Sequence, residues 1–216
     1  MDYRKLYAGV GSRETPPDIL DLMRNIGREL AKKGWVLRSG AADGADSAFE
    51  RGCDEVLGQK EIFLPYKGFR GHKSTLCEPP TFDALHLAST VHPYFSNMKP
   101  NSFARNAHAR NMNQVLGLDL ATPVNCVVCY TPDGAESEED SKDLDITGGT
   151  RSAIVIAARK SIPVFNLARP DGLTRLVKFI NKNELLPRTE WSANSEFLKE
   201  IKNKKIKARN DKKKKL

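Results

Sequence analysis

Four short segments of this chain combine glycine with hydroxyl, guanidinium or carboxylate side chains: GVGSR at residues 9–13, SGAADGAD at 39–46, TPDG at 131–134 and TGGTRS at 147–152. Small residues let a backbone approach a phosphate closely, and hydroxyl and guanidinium groups donate hydrogen bonds to its oxygens. We therefore predict that a ligand phosphate is bound by residues of these segments and of one helix: Gly11, Ser12, Arg13, Ser39, Gly40, Ala41, Arg110, Asn111, Thr131, Gly148, Gly149, Thr150 and Arg151.

Carboxylates lie in or beside the same segments and suit chemistry at the sugar of a nucleotide. Cleavage of an N-glycosidic bond needs a carboxylate that stabilises or attacks the developing oxocarbenium ion, and a clamp that fixes the phosphate. The candidate catalytic carboxylates are Asp43, Asp46, Glu50 and Asp133. Asp46 is the first choice, because it would face the pocket from the first turn of its helix. An aspartate there also caps helical N–H groups, so a structural role stays open. His108 could orient a substrate, act as an acid, or be structural.

Strands and helices alternate along the chain in an order that brings the glycine-rich segments together. KLYAGVG, WVLRSG, EIFLP, VNCVVCYT and IPVFNL have the composition of buried strands. The spacing of apolar residues predicts helices after Pro17, over about 43–53, 82–91 and 102–116, after TGGTRSA, and around 173–180. This order predicts a single α/β domain, Rossmann-like, with a mainly parallel sheet and helices on both faces. In such sheets ligands bind beyond the carboxyl ends of the strands.

The positive charge of the chain is concentrated at its end. The net charge is +8, and residues 199–216 alone carry ten Lys or Arg against two Asp or Glu, so the remaining residues are electrically balanced. We predict a nucleotide-binding domain over residues 1–185 and a C-terminal helix with a polybasic tail over 186–216. Attraction to a polyanion would come from this tail or from a local patch. The acidic stretch AESEEDSKDLD at 135–145 is predicted to be a solvated loop.

Composition also limits the compartment and the cofactors. The sequence has no apolar run of bilayer-spanning length, and MDYRKLYAGV lacks the pattern of a signal peptide, so we expect a cytoplasmic protein with no membrane partner. The four cysteines are too sparse for a disulfide framework. Cys126 and Cys129 form a CxxC, but on a strand they point to opposite faces and suit a buried structural role. The histidines show no zinc-binding spacing, and we predict neither metal nor cofactor.

Several of these blocks resemble the DprA/SMF family. GSR, a helix and then GWVLRSGAADGADSAFERG are similar to the GSR-type and glycine-rich turns of that family's Rossmann-like core. FARNAHARNMNQVLG and GGTRSAIVIAARKSIPVFNL are similar to its following helix and C-terminal block, so the resemblance covers residues 6–167. It implies a protein that binds nucleotide or single-stranded DNA in DNA processing or recombination, and that forms homodimers.

The wider LOG/DprA (SLOG) superfamily adds two alternatives. Its LOG phosphoribohydrolases cleave nucleoside monophosphates at the N-glycosidic bond; the segment HARN at 108–111 and the GGTR turn resemble their motifs. The glutamate of their turn is absent here, because Thr150 is followed by Arg151, Ser152 and Ala153. Other members are thought to sense an ADP-ribose-like or cyclic nucleotide without turnover. Strand binding, N-glycoside hydrolysis or transfer, and nucleotide sensing all remain open at this stage.

Overall fold

The computed structural model describes residues 4–76 and 80–183. Within these ranges, strands alternate with helices as follows: β1 (Leu6–Gly9), α1 (Pro17–Lys32), β2 (Val36–Ser39), α2 (Ala45–Asp54), β3 (Lys60–Ile62), α3 (Phe82–Val91), α4 (Phe103–Leu116), β4 (Cys126–Cys129), α5 (Leu144–Thr147), α6 (Arg151–Arg159), β5 (Val164–Asn166) and α7 (Gly172–Asn183). Short 3-10 turns lie at Phe69–Gly71, Phe95–Asn97 and Gly148–Thr150.

The strands form one parallel sheet in the order β3-β2-β1-β4-β5. On its central strand β1, Tyr7 is level with Leu37 on β2 and with Cys126 on β4. The chain winds outward from β1 as far as β3 and then returns to the other side of β1 for β4 and β5. This confirms the predicted Rossmann-like α/β fold. The reversal of winding leaves a crevice at the carboxyl ends of β1 and β4.

Helices cover both faces of the sheet. On one face the Tyr7 ring packs edge-on against Phe49 of α2, with 6.2 Å between the ring centroids. On the other face Ala8 belongs to a buried cluster with Met112 of α4 and Ile154 of α6. The side chains of β1 therefore alternate between two cores, and both faces of the central strands are apolar, as expected for a parallel sheet.

Helices α1 and α2 cross at two glycines. A Cβ at Gly52 would lie 1.9 Å from the carbonyl oxygen of Arg24, and a Cβ at Gly27 would lie 2.5 Å from that of Phe49. The two backbones approach this closely only because both positions lack a side chain. This contact determines how α2 lies against the sheet, and the first turn of α2 carries Asp46.

The acidic stretch at 135–145 is a loop up to the start of α5 and is solvated only in part, since about half of its residues are exposed and the others pack against the body. Ser141 is fully buried. The Glu136 carboxylate accepts a hydrogen bond of 2.8 Å from the N–H of Asn166, and Glu138 pairs with Arg159 at 2.6 Å. Basic residues of α6 and of the chain after β5 neutralise this segment and hold it close to the sheet.

The chain divides into two compact units, residues 1–176 and 177–216. The first unit contains the whole sheet. Of the second, the structure describes only residues 177–183, so the predicted polybasic tail at 186–216 lies outside the described residues. The boundary predicted at 185 stays a prediction. Across 4–76 and 80–183, none of the helices is both long enough and apolar enough to cross a membrane.

Candidate functional site

A cavity of about 650 Å³ opens at the carboxyl ends of β1 and β4, where the winding of the sheet reverses. Its wall is built from the turn after β1, the start of α2, one face of α4, and the segment from α5 to the first turns of α6. The lining residues are Val10, Gly11, Ser12, Arg13, Glu14, Ala42, Asp46, Phe103, Ala104, Ala107, His108, Arg110, Asn111, Gln114, Pro132, Asp145, Ile146, Thr147, Gly148, Gly149, Thr150 and Ala153.

The turn after β1 contributes Ser12 and Arg13 to one side of the cavity. Gly11 is needed here, because a Cβ would lie 2.7 Å from the Cβ of Ala45 and 3.1 Å from the carbonyl oxygen of Tyr130. The N–H of Ser12 donates to that same oxygen at 3.2 Å, so it is not available to a ligand. The turn therefore offers the Ser12 hydroxyl and the exposed Arg13 guanidinium.

The turn before α6 faces the cavity from the other side. Gly148 has a φ of 60°, which favours glycine, and a Cβ at Gly148 or Gly149 would meet no atom of the described part of the chain within 4 Å. Asn111 fixes this turn to α4, since its Nδ2 donates to the carbonyl oxygen of Gly149 at 2.8 Å. The N–H groups of Gly148 and Arg151 already donate to the carbonyl oxygens of Leu144 and Gly148, so what this turn offers an anion is chiefly the positive end of the α6 dipole. This turn thus suits an anion.

A buried ion pair lies in the cavity wall between these turns. Nη1 of Arg110 donates to Oδ2 of Asp46 at 3.1 Å, and the two side chains are 6% and 5% exposed. The N–H of Ala42 donates to the same oxygen at 3.4 Å. Burial raises the pKa of Asp46, while the Arg110 charge and the Ala42 N–H oppose the increase. Gly40 makes room for the pair, since a Cβ there would lie 1.0 Å from Nη1 of Arg110.

His108 adds a neutral imidazole to the wall. Its Nδ1 lies 2.8 Å from Oγ of Ser152, and its ring centroid is 4.2 Å from that of His92. The pKa of His108 is lowered to about 4, mainly by burial and to a smaller extent by the nearby His92 and Arg110. At neutral pH the ring therefore carries no charge and can exchange hydrogen bonds with a polar ligand.

Burial of a neutral His108 should make stability depend on pH. The unfolded chain takes up the proton near pH 6.5 and the folded protein only near pH 4, so this residue destabilises the fold as the pH falls. We expect a loss of about 2–3 kcal/mol of unfolding free energy between pH 7 and 4.5. Urea denaturation at both pH values should show that His108→Gln removes this loss.

The matched control is His86→Gln, which changes an exposed histidine of α3. The raised pKa of Asp46 acts in the opposite direction, because its contribution is present at low pH and lost as the pH rises. Since Asp46 remains in every variant, the difference from wild type gives the contribution of His108 to the pH dependence of stability. Equal pH dependence of wild type and His108→Gln would contradict the neutral state of the ring.

Gln114 completes the inner wall with an unsatisfied amide. The side chain is 1% exposed, and its Nε2 has no hydrogen-bond partner among the described residues. Leaving such a donor unpaired costs about 1–3 kcal/mol. A polar ligand atom, or water, in the cavity would supply the missing acceptor.

Nine of the predicted site residues line this one cavity: Gly11, Ser12, Arg13, Asp46, Arg110, Asn111, Gly148, Gly149 and Thr150. Other predicted phosphate-binding residues lie just outside its lining. The Ser39 hydroxyl donates to the carbonyl oxygen of Gly9 at 2.7 Å, and Gly40 and Ala41 continue from it. The Thr131 hydroxyl accepts from Nδ2 of Asn166 at 2.7 Å. Arg151 is buried and turned away, donating to the carbonyl oxygens of Ser141 and Val91.

The other predicted catalytic carboxylates are not brought into the cavity. Asp43 is exposed and forms an ion pair with Arg70. Glu50, further along α2, accepts from Lys60 at 2.7 Å and lies 2.8 Å from Nε2 of His72. The Asp133 carboxylate accepts hydrogen bonds from the Thr147 hydroxyl and from the N–H of Ala135. It thereby ties the loop after β4 to the end of α5. Of the four, the structure places Asp46 alone at the cavity.

Sequence reasoning left out Phe103, Gln114 and the α5 residues Asp145 and Ile146 from the predicted set. A signal for Gln114 exists. Polar and small residues recur along FARNAHARNMNQ at the spacing of one helical face, and polar residues buried on a helix need partners or a ligand. The α5 residues carry no such pattern, and only the packing of the 135–145 segment brings them here.

The fold and the cavity define the class of the protein, a Rossmann-like α/β protein with a cavity at the switch point of its parallel sheet. No family model and no curated protein matches the chain. Among solved structures it is similar to the Moco carrier protein of Chlamydomonas rheinhardtii, with a TM-score of 0.44 and 16% identity, over 81% of this chain and 83% of that chain. This likeness says nothing about ligand or activity. Within 4–76 and 80–183, no cluster of His, Cys, Asp and Glu could hold a metal ion.

Proposed function

We propose that the cavity binds a small phosphorylated nucleotide, of the size of a nucleoside 5′-monophosphate. One observation carries the proposal: the Ser12–Arg13 turn and the Gly148–Thr150 turn line the same cavity from opposite sides of the switch point. A guanidinium, hydroxyl groups and a helix N-terminus thus belong to the wall of one cavity, and together they match the charge and the oxygens of a phosphate.

The volume and the remaining polar groups agree with a ligand of this size. Pockets for small molecules and cofactors measure roughly 300–1,000 Å³, and this cavity measures about 650 Å³. Besides Arg13, the charged side chains of the wall are the Asp46–Arg110 pair, whose charges cancel, and the exposed carboxylates of Glu14 and Asp145. The wall also offers neutral polar groups on His108, Asn111 and Gln114. Such groups suit a sugar or the edge of a base.

Resemblance to the DprA/SMF family favours single-stranded DNA as the ligand, while the cavity favours a single nucleotide. A site for a strand is a positively charged groove that follows several phosphates. Here Arg13 is the cationic side chain of the wall that is not balanced by a buried carboxylate. The basic residues at 199–216 lie outside the described residues, and their part in binding a strand is left to experiment.

Calorimetry with matched ligands tests the proposal. Adenosine, guanosine, cytidine and thymidine 5′-monophosphates are titrated into the full chain alongside the corresponding nucleosides. We expect at least one monophosphate to bind. The affinity for the corresponding nucleoside should be lower by about tenfold or more, because the phosphate supplies the charged contacts. If a thymidine oligonucleotide binds and no mononucleotide binds or competes with it, the strand is the ligand and the proposal is wrong.

Gly149→Ala should weaken nucleotide binding without weakening the fold. The added methyl group would meet no atom of the described residues within 4 Å, and Gly149 lines the cavity at the proposed phosphate position. We expect affinity for the monophosphate to fall by about tenfold or more, as measured by calorimetry, with an unchanged or slightly higher melting temperature. Unchanged affinity would place the phosphate elsewhere.

Cleavage of the N-glycosidic bond is the second candidate. The observation that favours it is Asp46, a buried carboxylate in the wall of the proposed nucleotide site. In this reaction water adds to C1′ of the sugar as the bond to the base breaks, and a carboxylate stabilises the positive charge on the sugar. Chromatography of monophosphates incubated with the protein would show free base. Release that stops in Asp46→Asn while nucleotide binding persists would support cleavage, and binding without release would indicate a nucleotide sensor.

A further inference from the structure

An aromatic cluster lies at the rim of the cavity. Its members are Tyr66, Phe69 and Phe103, of which Phe103 lines the cavity. The rings of Phe69 and Phe103 are stacked with 5.6 Å between centroids, and Tyr66 meets each of them edge-on, at 5.3 Å and 6.5 Å. Phe69 is buried, whereas Phe103 and Tyr66 are 38% and 46% exposed. A buried ring thus supports two rings that reach the surface.

Phe103 is held firmly in this position. It is the first residue of α4, and the Ser102 hydroxyl caps that helix by accepting from the N–H of Arg105 at 3.3 Å. Stacking on Phe69 restrains the ring from the side of the protein. An exposed aromatic ring that is already ordered loses little conformational entropy when a ligand packs on it.

Arg13 joins the aromatic cluster to the proposed phosphate position. Its guanidinium carbon lies 5.2 Å from the centroid of the Phe103 ring, at a distance typical of a cation–π contact. The same residue follows Ser12 in the turn after β1 and lines the cavity. The aromatic surface and the anion-binding turn are therefore neighbours, as the base and the phosphate of one nucleotide are.

We infer that Phe103, supported by Phe69 and Tyr66, is the stacking surface for the nucleobase of the ligand. The inference rests on the proposed function, since it takes the phosphate to lie between residues 12–13 and 148–150. Base–aromatic stacking is tolerant of sequence because every base has a π-face. The ligand class is thus a nucleotide selected for having a base and a phosphate, with any preference among bases arising from polar groups such as the Gln114 amide.

Comparison of a nucleotide with the same molecule lacking its base tests the inference. Adenosine 5′-monophosphate and ribose 5-phosphate are titrated by calorimetry into wild type, Phe103→Leu and Phe103→Trp, with Phe82→Leu as the control. Phe82 is 81% exposed, starts helix α3 and does not line the cavity. We expect Phe103→Leu to bind the monophosphate about 5- to 150-fold more weakly, with unchanged affinity for ribose 5-phosphate. Phe103→Trp should restore binding of the monophosphate.

The outcomes separate this inference from the function on which it rests. If wild type binds both ligands equally, or if Phe103→Leu leaves the affinity for the monophosphate unchanged, the stacking role is wrong and the phosphate site stands. An equal loss for both ligands in Phe103→Leu also overturns it, because that result reports a change of the whole cavity. If wild type binds neither ligand and none of the other three monophosphates, the proposed function itself fails. An effect of Phe82→Leu matching that of Phe103→Leu would show that the loss is not specific to the rim.

Discussion

Replacing Arg110 with alanine is expected to lower the free energy of unfolding by about 3–5 kcal/mol, because it leaves the buried Asp46 carboxylate without its cation. The carboxylate is 5% exposed and cannot recover full hydration in the folded protein. The N–H of Ala42, at 3.4 Å, is too weak a partner to replace the guanidinium. Urea denaturation at pH 7 measures the change.

Two variants control this prediction. Arg24→Ala removes the same side chain from an ion pair with Glu55, where Arg24 is 51% exposed, and should cost about 1 kcal/mol or less. The double variant Asp46→Ala, Arg110→Ala should be destabilised by less than the sum of the two single variants, since neither charge is then left alone. A loss for Arg110→Ala no greater than that for Arg24→Ala would show that the pair is effectively solvated.

The second large effect is expected for Gly52→Ala, at the crossing of α1 and α2. A Cβ at this position would lie 1.9 Å from the carbonyl oxygen of Arg24 and 2.9 Å from the N–H nitrogen of Arg28, both of them backbone atoms. Alanine is favoured over glycine inside a helix by up to about 1 kcal/mol, but backbone cannot move aside as a side chain can. We expect a net loss of at least about 2 kcal/mol of unfolding free energy, measured by urea denaturation.

Gly149→Ala makes the same chemical change where a Cβ has no neighbour within 4 Å among residues 4–76 and 80–183, and it is the matched control. It should leave stability unchanged or raise it slightly, because alanine restricts the unfolded chain. Gly27→Ala should behave like Gly52→Ala with a smaller loss, since its nearest atom, the carbonyl oxygen of Phe49, is 2.5 Å from the Cβ. Equal stability of the Gly52 and Gly149 variants would mean that the two helices can separate at little cost.

Much of the candidate site was predictable because it lies in sequence beside strand ends. Residues 11–13 follow β1 directly, and any parallel sheet places such residues at one edge. The glycines at 148–149 begin a helix, and their backbone freedom is visible in the sequence. Helix α2, predicted from about residue 43, begins at Ala45 because Gly44, with a φ of 80°, is outside the helical region.

The errors arise where one residue type serves two purposes. Asp43, Asp46, Glu50 and Asp133 look alike in sequence, and their separation depends on partners far along the chain, such as Arg110, which is 64 residues from Asp46. Arg151 belongs to the predicted glycine turn, yet its side chain satisfies buried carbonyl oxygens. Local spacing gives no information on which carboxylate or guanidinium finds its counter-charge.

The sequence by itself determined the order of strands and helices, the parallel sheet and the glycine-rich turns at its carboxyl edge, because these depend on apolar periodicity and on glycine at strand ends. Only the tertiary structure decided that Asp46 and Arg110 form a buried pair, that Nε2 of Gln114 finds no hydrogen-bond partner within 4–76 and 80–183, and that Phe103 lies beside Arg13 at the rim. The physical reason is that these relations join residues distant in sequence, whose distances and solvation exist only after the sheet has brought α2, α4 and α6 to one edge.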